Sequence, residues 1–292
     1  MGDGVPTDIE RHAKGDDDAA ATLEVSSFTA GKHSSRVYYR PAGSSIQTEA
    51  GEDEDQRQGD EVQNDDTERP PSKQISRRER RSFLALREGA LGLVVDACLS
   101  TIVTAEDGGH LGTFILSHID HWDYEKERVF LIMENVLLCA KYDFSKQQVM
   151  SAIRLPYYGI TKIIRGKFVY PRLGVASKRD GTGLRVHFSC SSPPFWSLLN
   201  PWADDIPYWT ITSHILRTQY KVPDDRLNID IFTDKLMSAI YGAFSRLQGD
   251  KDPDCTQPEI EEQDVYMDTY MNMTAMLHNG QHMGYYKEKV TS

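Results

Sequence analysis

Ile119-Asp120-His121-Trp122-Asp123-Tyr124-Glu125-Lys126-Glu127-Arg128-Val129-Phe130-Leu131-Ile132-Met133-Glu134-Asn135-Val136-Leu137-Leu138-Cys139-Ala140 is the stretch that decides the fold. Its two apolar runs, Val129 to Met133 and Val136 to Ala140, are split by two turn-tolerant residues and read as a β-hairpin. Asn135 is expected in the left-handed conformation that so tight a turn requires. The charged and aromatic decapeptide Ile119 to Arg128 then becomes the loop joining an earlier strand, led by Thr113 to Leu116, to that hairpin.

Strand-like alternation continues downstream. Val149, Ser151, Ile153 and Leu155 alternate with Met150, Ala152 and Arg154 until Pro156 ends the run. Tyr158, Ile160, Lys162 and Ile164 repeat the pattern up to Gly166, as do Leu184, Val186 and Phe188 with Arg185 and His187. Tyr208 to Ser213 reads as a last strand. A Lys-, Arg- and Gly-rich loop spans Lys167 to Gly183, and an aromatic loop spans Ser191 to Pro207. A helix is expected from Ile229 to Leu247, because Phe232, Leu236, Ala239, Ile240, Ala243 and Leu247 fall on one face. Seven short strands followed by one amphipathic helix predict an α+β chain. The architecture they match is pleckstrin-homology-like, a partly open antiparallel β-barrel with a C-terminal capping helix, although the pattern also permits other α+β folds.

Upstream, few large apolar residues interrupt an acidic run through Glu52-Asp53-Glu54-Asp55, Asp60-Glu61 and Asp65-Asp66. Such a stretch cannot bury enough apolar surface to offset about 1 to 2 kcal/mol of backbone entropy per residue. Residues 1–75 are therefore expected to be a disordered acidic tail, which supplies most of the net charge of −11. Residues 76–110 hold a basic segment and an amphipathic docking helix, with Leu91, Val94, Val95, Cys98, Ile102 and Val103 on one face. Residues 111–248 form the domain, and 249–292 a Met-rich C-terminal tail with approximate helical spacing. That tail suits either a pliable partner surface or its own domain.

The charge is wrong for a nucleic-acid binder. No apolar run is long enough to span a bilayer, and the N-terminus has no signal-like segment, so a cytoplasmic chain is expected. Cys98, Cys139, Cys190 and Cys255 lack metal-ligand spacing, and Cys98 and Cys139, in apolar contexts, read as reduced core residues. Six positions beyond them stand Thr104, Ser145, Trp196 and Glu261, so the arginine of a cysteine-based phosphatase loop is missing. His118 and His121 with Asp120 and Asp123 resemble a metal cluster only loosely, and a hydrogen-bonded loop explains them better. No catalytic residue, metal or cofactor is expected.

At Ile119-Asp120-His121-Trp122 with Glu125-Lys126-Glu127-Arg128, at Cys139-Ala140-Lys141-Tyr142-Asp143-Phe144, and at Asn200-Pro201-Trp202 with Pro207-Tyr208, the chain resembles the TPRG family. These are the tumour protein p63-regulated gene proteins, which include the presynaptic protein Mover. Asp123-Tyr124 and Ala203-Asp204-Asp205 depart from the family pattern. The resemblance implies a homology domain shared with a Sac-type inositol phosphatase, similar to a pleckstrin-homology fold and able to self-associate. It implies a non-enzymatic adaptor or regulator, peripheral on synaptic or other vesicles, tuning presynaptic transmitter release. The alternatives are a phosphoinositide-linked enzyme or its lipid-binding subunit, and a structural dimeric scaffold.

Three surfaces follow as binding candidates. Lys162, Arg165, Lys167, Arg172, Lys178 and Arg179 form the expected anion or lipid site, because Asp120, Asp123, Glu125 and Glu127 are expected to oppose a polyanion at Lys126 and Arg128. Trp196, Leu199, Trp202 and Trp209 are interface candidates for a protein partner or a second copy, or else core caps. Arg77, Arg78, Arg80 and Arg81 suit a calmodulin-like partner or an anionic membrane surface, or simply a solvated linker.

Overall fold

The computed structural model describes residues 26–30, 34–38, 83–171, 179–189, 206–247, 256–267 and 273–288. Its strands are β1 Ser26–Ala30, β2 Ser34–Tyr38, β3 His110–Ile119, β4 Glu125–Met133, β5 Val136–Asp143, β6 Gln148–Pro156, β7 Ile160–Val169, β8 Thr182–Phe188, β9 Tyr208–Thr212, β10 Glu259–Glu262 and β11 Val265–Tyr266. Its α-helices are α1 Ala90–Ile102, α2 Ile215–Thr218, α3 Ile229–Leu247 and α4 Met273–Gly280. The chain is mixed α+β around one large sheet, in the order β1-β2-β6-β5-β4-β3-β9-β8-β7-β10, with β11 also on β7.

Two antiparallel meanders, β3 to β6 and β7 to β9, meet where β3 pairs β9 at Ser117↔Thr212, His118↔Ile211 and Ile119↔Thr210. Period-2 alternation sends each strand's side chains to opposite faces. On one face Ile115, Val129, Leu131, Leu138 and Ala140 bury Val94, Cys98 and Ile102 of α1. Those three recur every fourth residue, so a single stripe of α1 is buried. On the other face Phe114, Leu116, Phe130, Ile132, Leu137 and Leu155, with Ile163, Leu184, Val186, Trp209 and Ile211 of the second meander, enclose Phe232, Leu236, Ile240 and Phe244 of α3. Phe130 is fully buried there, with ring centroids 5.5 Å from Phe232 and 6.2 Å from Trp209.

The β4–β5 hairpin forms, paired at Val129↔Ala140 through Ile132↔Leu137. Its turn differs from expectation, because Asn135 is not among the residues of positive φ. Asn135 is held from outside instead. Its N–H donates to Asp107 O at 3.1 Å, its amide donates to Glu106 O at 2.9 Å, and Glu134 N–H donates to Gly109 O at 2.9 Å. The segment after α1 thus splints the turn.

Two expectations are corrected outside the sheet's centre. Residues 1–75 are not uniformly without structure: β1 and β2 form a hairpin, and β2 pairs antiparallel with β6 at Arg36↔Ile153 and Val37↔Ala152. Averaging composition over the acidic tail hid the short β-prone run Ser34-Ser35-Arg36-Val37-Tyr38. The C-terminal segment is only partly helical among the described residues, since β10 and β11 run parallel along β7 and the helix there is Met273–Gly280. Close approach there needs Gly166, where a Cβ would strike the backbone of Gln263.

Candidate ligand-binding site

On the face that holds α3, each strand changes character at the same level. Apolar Phe114 and Leu116 of β3 give way to His118, and Ile132 and Phe130 of β4 to Arg128 and Lys126. Leu137 and Cys139 of β5 give way to Lys141, and Leu155 of β6 to Ile153 and Ser151. Those polar ends, with Ile206, Tyr208 and Trp209, line a cavity of about 610 Å³. No residue of α3 lines it, so helix and cavity occupy opposite ends of one face.

The C-terminal segment makes the cavity possible. The β4–β5 ladder stops at Val129↔Ala140, and beyond it the N–H of Glu127 donates to Gly284 O at 3.0 Å and that of Glu125 to Asn279 Oδ1 at 3.1 Å. The strap 279–286 therefore replaces β5 as the partner of β4, and His278, Gly284, Tyr285 and Tyr286 become one wall. Gly284 has φ +89°, and a Cβ there would collide with Glu125 O. On its far side the strap accepts Leu84 N–H through Tyr286 O at 3.0 Å, and Lys287 pairs with Phe83. The described residues 279–287 of the tail are thus docked on the domain.

Alternation along β4 also sorts the charges. Glu125 and Glu127 point to the α1 face, whereas Lys126 and Arg128 point into the cavity. Each carboxylate is engaged. Glu127 Oε1 accepts from His214 Nε2 at 2.8 Å, with both side chains almost fully buried. His214 Nδ1 accepts Leu216 N–H at 3.1 Å, which leaves the proton on Nε2. Glu125 accepts from Tyr285 Oη and Arg179, and Arg179 also holds Asp123. Burial works against the Arg179 charge, but Glu125, Asp123 and Tyr170 outweigh it and hold its pKa above the usual range.

The repulsion expected around Lys126 and Arg128 is therefore not realised. Within the cavity three permanent cations, Lys126, Arg128 and Lys141, face one carboxylate, Asp120, which pairs with Lys126 at 2.7 Å. Asp120 also accepts the N–H groups of Trp122 and Tyr124, at 3.0 and 2.9 Å, and so shapes the β3–β4 turn. His118 is held neutral: burial, then the charges of Arg128 and Lys126, push its pKa well below the usual imidazole value. Burial is the larger cause of that shift, and the neighbouring cations add to it.

Among the described residues of the anion site expected elsewhere, Lys162, Arg165 and Arg179 are each paired within the chain. Lys162 sits 2.5 Å from Glu261 and 3.4 Å from Glu259 of β10. Arg165 contacts Asp230 at 2.8 Å, with Asp234 and Glu262 at 3.9 Å. Arg179 is committed to Asp123 and Glu125, so all three are compensated inside the chain. Lys167 is exposed on β7, while Arg172 and Lys178 lie outside the described residues. Trp209 is corrected from interface to core, being 4 % exposed and packed on Phe130 and Phe188. Trp196, Leu199, Trp202, Arg77, Arg78, Arg80 and Arg81 lie outside the described residues.

Fold and site together describe a mixed α+β domain with a cationic cavity at one end of its second core. Residues 82–189 match the model of the hSac2 family, described as inositol phosphatase. The human tumor protein p63-regulated gene 1 protein is 30% identical over 212 residues, spanning 70% of this chain and 74% of the relative. The hSac2 domain from human phosphoinositide phosphatase Sac2 is a structural neighbour with TM-score 0.35 and 12% identity, covering 61% of this chain and 90% of that domain. The chain belongs to the tumour protein p63-regulated gene 1 family and carries the Sac homology domain.

Proposed function

We propose that the chain is a non-catalytic regulatory module that works by binding, on a pleckstrin-homology-like scaffold. Two joined meanders that share one core with a helix laid against one end support the pleckstrin-like reading. The observation that carries the function is the cavity itself: cations and histidines project into it from strands, with no activated nucleophile among them. Its thiol, Cys139, lies mid-strand in ladder pairing with Phe130 and Ile153. The backbone there is spent on the sheet and cannot wrap a phosphate as a cysteine-phosphatase loop does. Cys98 is inert, because burial pushes its pKa up to about 12.

Family membership supports extending this reading to an adaptor held peripherally on vesicle membranes, including presynaptic ones. No helix among the described residues is long and apolar enough to cross a bilayer. Self-association belongs to the same proposal. The β7 edge is already covered by β10, whose Glu259, Glu261 and Glu262 discourage edge pairing. The aromatic composition of Ser191 to Pro207, with Trp196, Leu199 and Trp202, favours that stretch for self-association.

Co-sedimentation of the full chain with phosphoinositide-containing and neutral liposomes, alongside a phosphate-release assay on the same lipid, tests the reading. Salt-sensitive binding to the anionic vesicles without turnover is expected. Turnover that survives repurification would replace the adaptor with an enzyme.

A further inference from the structure

We propose that Tyr266 is a phosphorylation site, the acceptor for a protein-tyrosine kinase that reads an extended acidic segment. The inference goes beyond the binding-module reading and does not depend on what the cavity holds.

Three observations lead to it. The first is presentation. Tyr266 is 62 % exposed, the most open of the large apolar and aromatic side chains among the described residues. Alternation along β11 is the cause: Val265 and Met267, on either side, are buried against Ile119 and Phe168, so the ring between them is turned outward.

The second is the backbone. Clefts that read peptides take them most readily in extended form. Tyr266 already has that form, and β11 is held to β7 through only two pairs, Val265↔Phe168 and Tyr266↔Val169. Little ladder must be given up for a kinase to reach it. The other two widely exposed tyrosines are placed differently. Tyr241 lies inside the 19-residue helix α3, and Tyr158 in the single turn Tyr157–Gly159, between two buried neighbours.

The third is charge. Glu262 and Asp264 precede Tyr266 by four and two positions, and both are exposed. Glu261 is spent on Lys162, whereas the Glu262 side chain is 71 % exposed and no nearer than 3.9 Å to Arg165. A basic substrate groove therefore meets two available carboxylates just ahead of the hydroxyl it must receive, and such complementarity sets which segment is chosen.

In the transfer, Tyr266 Oη forms a bond to the γ-phosphorus of ATP while the bond from that phosphorus to the β,γ-bridging oxygen breaks. ADP leaves, and the hydroxyl proton passes to the kinase's catalytic aspartate. The product adds a charge of about −1.5 to −2 to a strip that already carries Glu259, Glu261, Glu262 and Asp264.

The test is incubation of the folded full chain with magnesium, ATP and the catalytic domain of a tyrosine kinase selective for acidic peptides, with sites and initial rates read by tandem mass spectrometry. Phosphate is expected at Tyr266 ahead of Tyr158 and Tyr241, and Tyr266→Phe is expected to remove most of the label. Glu262→Gln combined with Asp264→Asn should slow the reaction about fivefold or more. All three substituted side chains are exposed, so these variants keep the fold. Equal labelling of Tyr158 or Tyr241, label that settles on Tyr270 instead, a rate indifferent to the two acids, or no label at all overturns the inference.

Discussion

Asp107 shows how much a single side chain can organise. It follows α1, is 2 % exposed, takes both Arg154 Nε and Nη2 at 2.8 and 2.7 Å, and accepts Thr104 N–H at 2.7 Å. Burial alone would raise its pKa, but the Arg154 and Thr104 hydrogen bonds and the Arg154 charge outweigh burial and hold it below the usual 3.8. Because the folded value is the lower one, the pair stabilises the fold above about pH 3.8, and that contribution is lost as pH falls through the folded value. Asp107→Asn should cost about 3 kcal/mol in urea denaturation at neutral pH. The difference from wild type should shrink on acidification below pH 4; a difference constant with pH would show that packing, not ionisation, is responsible. None of this was legible in the sequence, since Asp107 and Arg154 are 47 positions apart and nothing local pairs them. The cavity cations were legible in part. Counting charges across Ile119 to Arg128 predicts repulsion, whereas applying period 2 to Glu125-Lys126-Glu127-Arg128 separates the signs. Knowing which face was the cavity's needed the partners of Glu127 and Glu125, His214 and Arg179, which come from distant segments.

At the scale of elements, β3 to β9 and α3 follow from sequence pattern because they depend on local periodicity, except that β4 begins at Glu125, inside the stretch Ile119 to Arg128 that reads as a loop. The span Ile229–Leu247 coincides with its apolar stripe, and the inward faces of β3 to β6 all turn polar toward the same end. What the pattern hides is docking. β10 and β11 are short, acidic or aromatic, and gain strand character only by lying along β7. Gly166→Val should push that segment off by steric contact with Gln263. Amide exchange at Glu261 and Gln263 should then rise by at least tenfold, with α3 unaffected; unchanged protection would mean that the crossing is looser than described. The strap depends likewise on Gly284. Gly284→Val adds both a clash with Glu125 O and a positive-φ strain of about 1 to 3 kcal/mol. Limited proteolysis should then cut after Tyr285 or Tyr286 in the folded variant, and resistance equal to wild type would contradict the strap's dependence on that turn.

For the whole molecule, charge is partitioned by region. The net −11 describes the acidic N-terminal run more than the domain, whose cationic cavity sits among internally compensated ion pairs. Net charge alone predicts repulsion from an anionic vesicle, whereas charge partitioned by region permits binding. The most direct measurement is co-sedimentation of the full chain with phosphoinositide-containing vesicles across a range of salt, with phosphate release followed on the same sample. The account predicts binding that weakens as salt rises and no phosphate released. Phosphate released in proportion to the bound chain, or no binding at any salt, would contradict it.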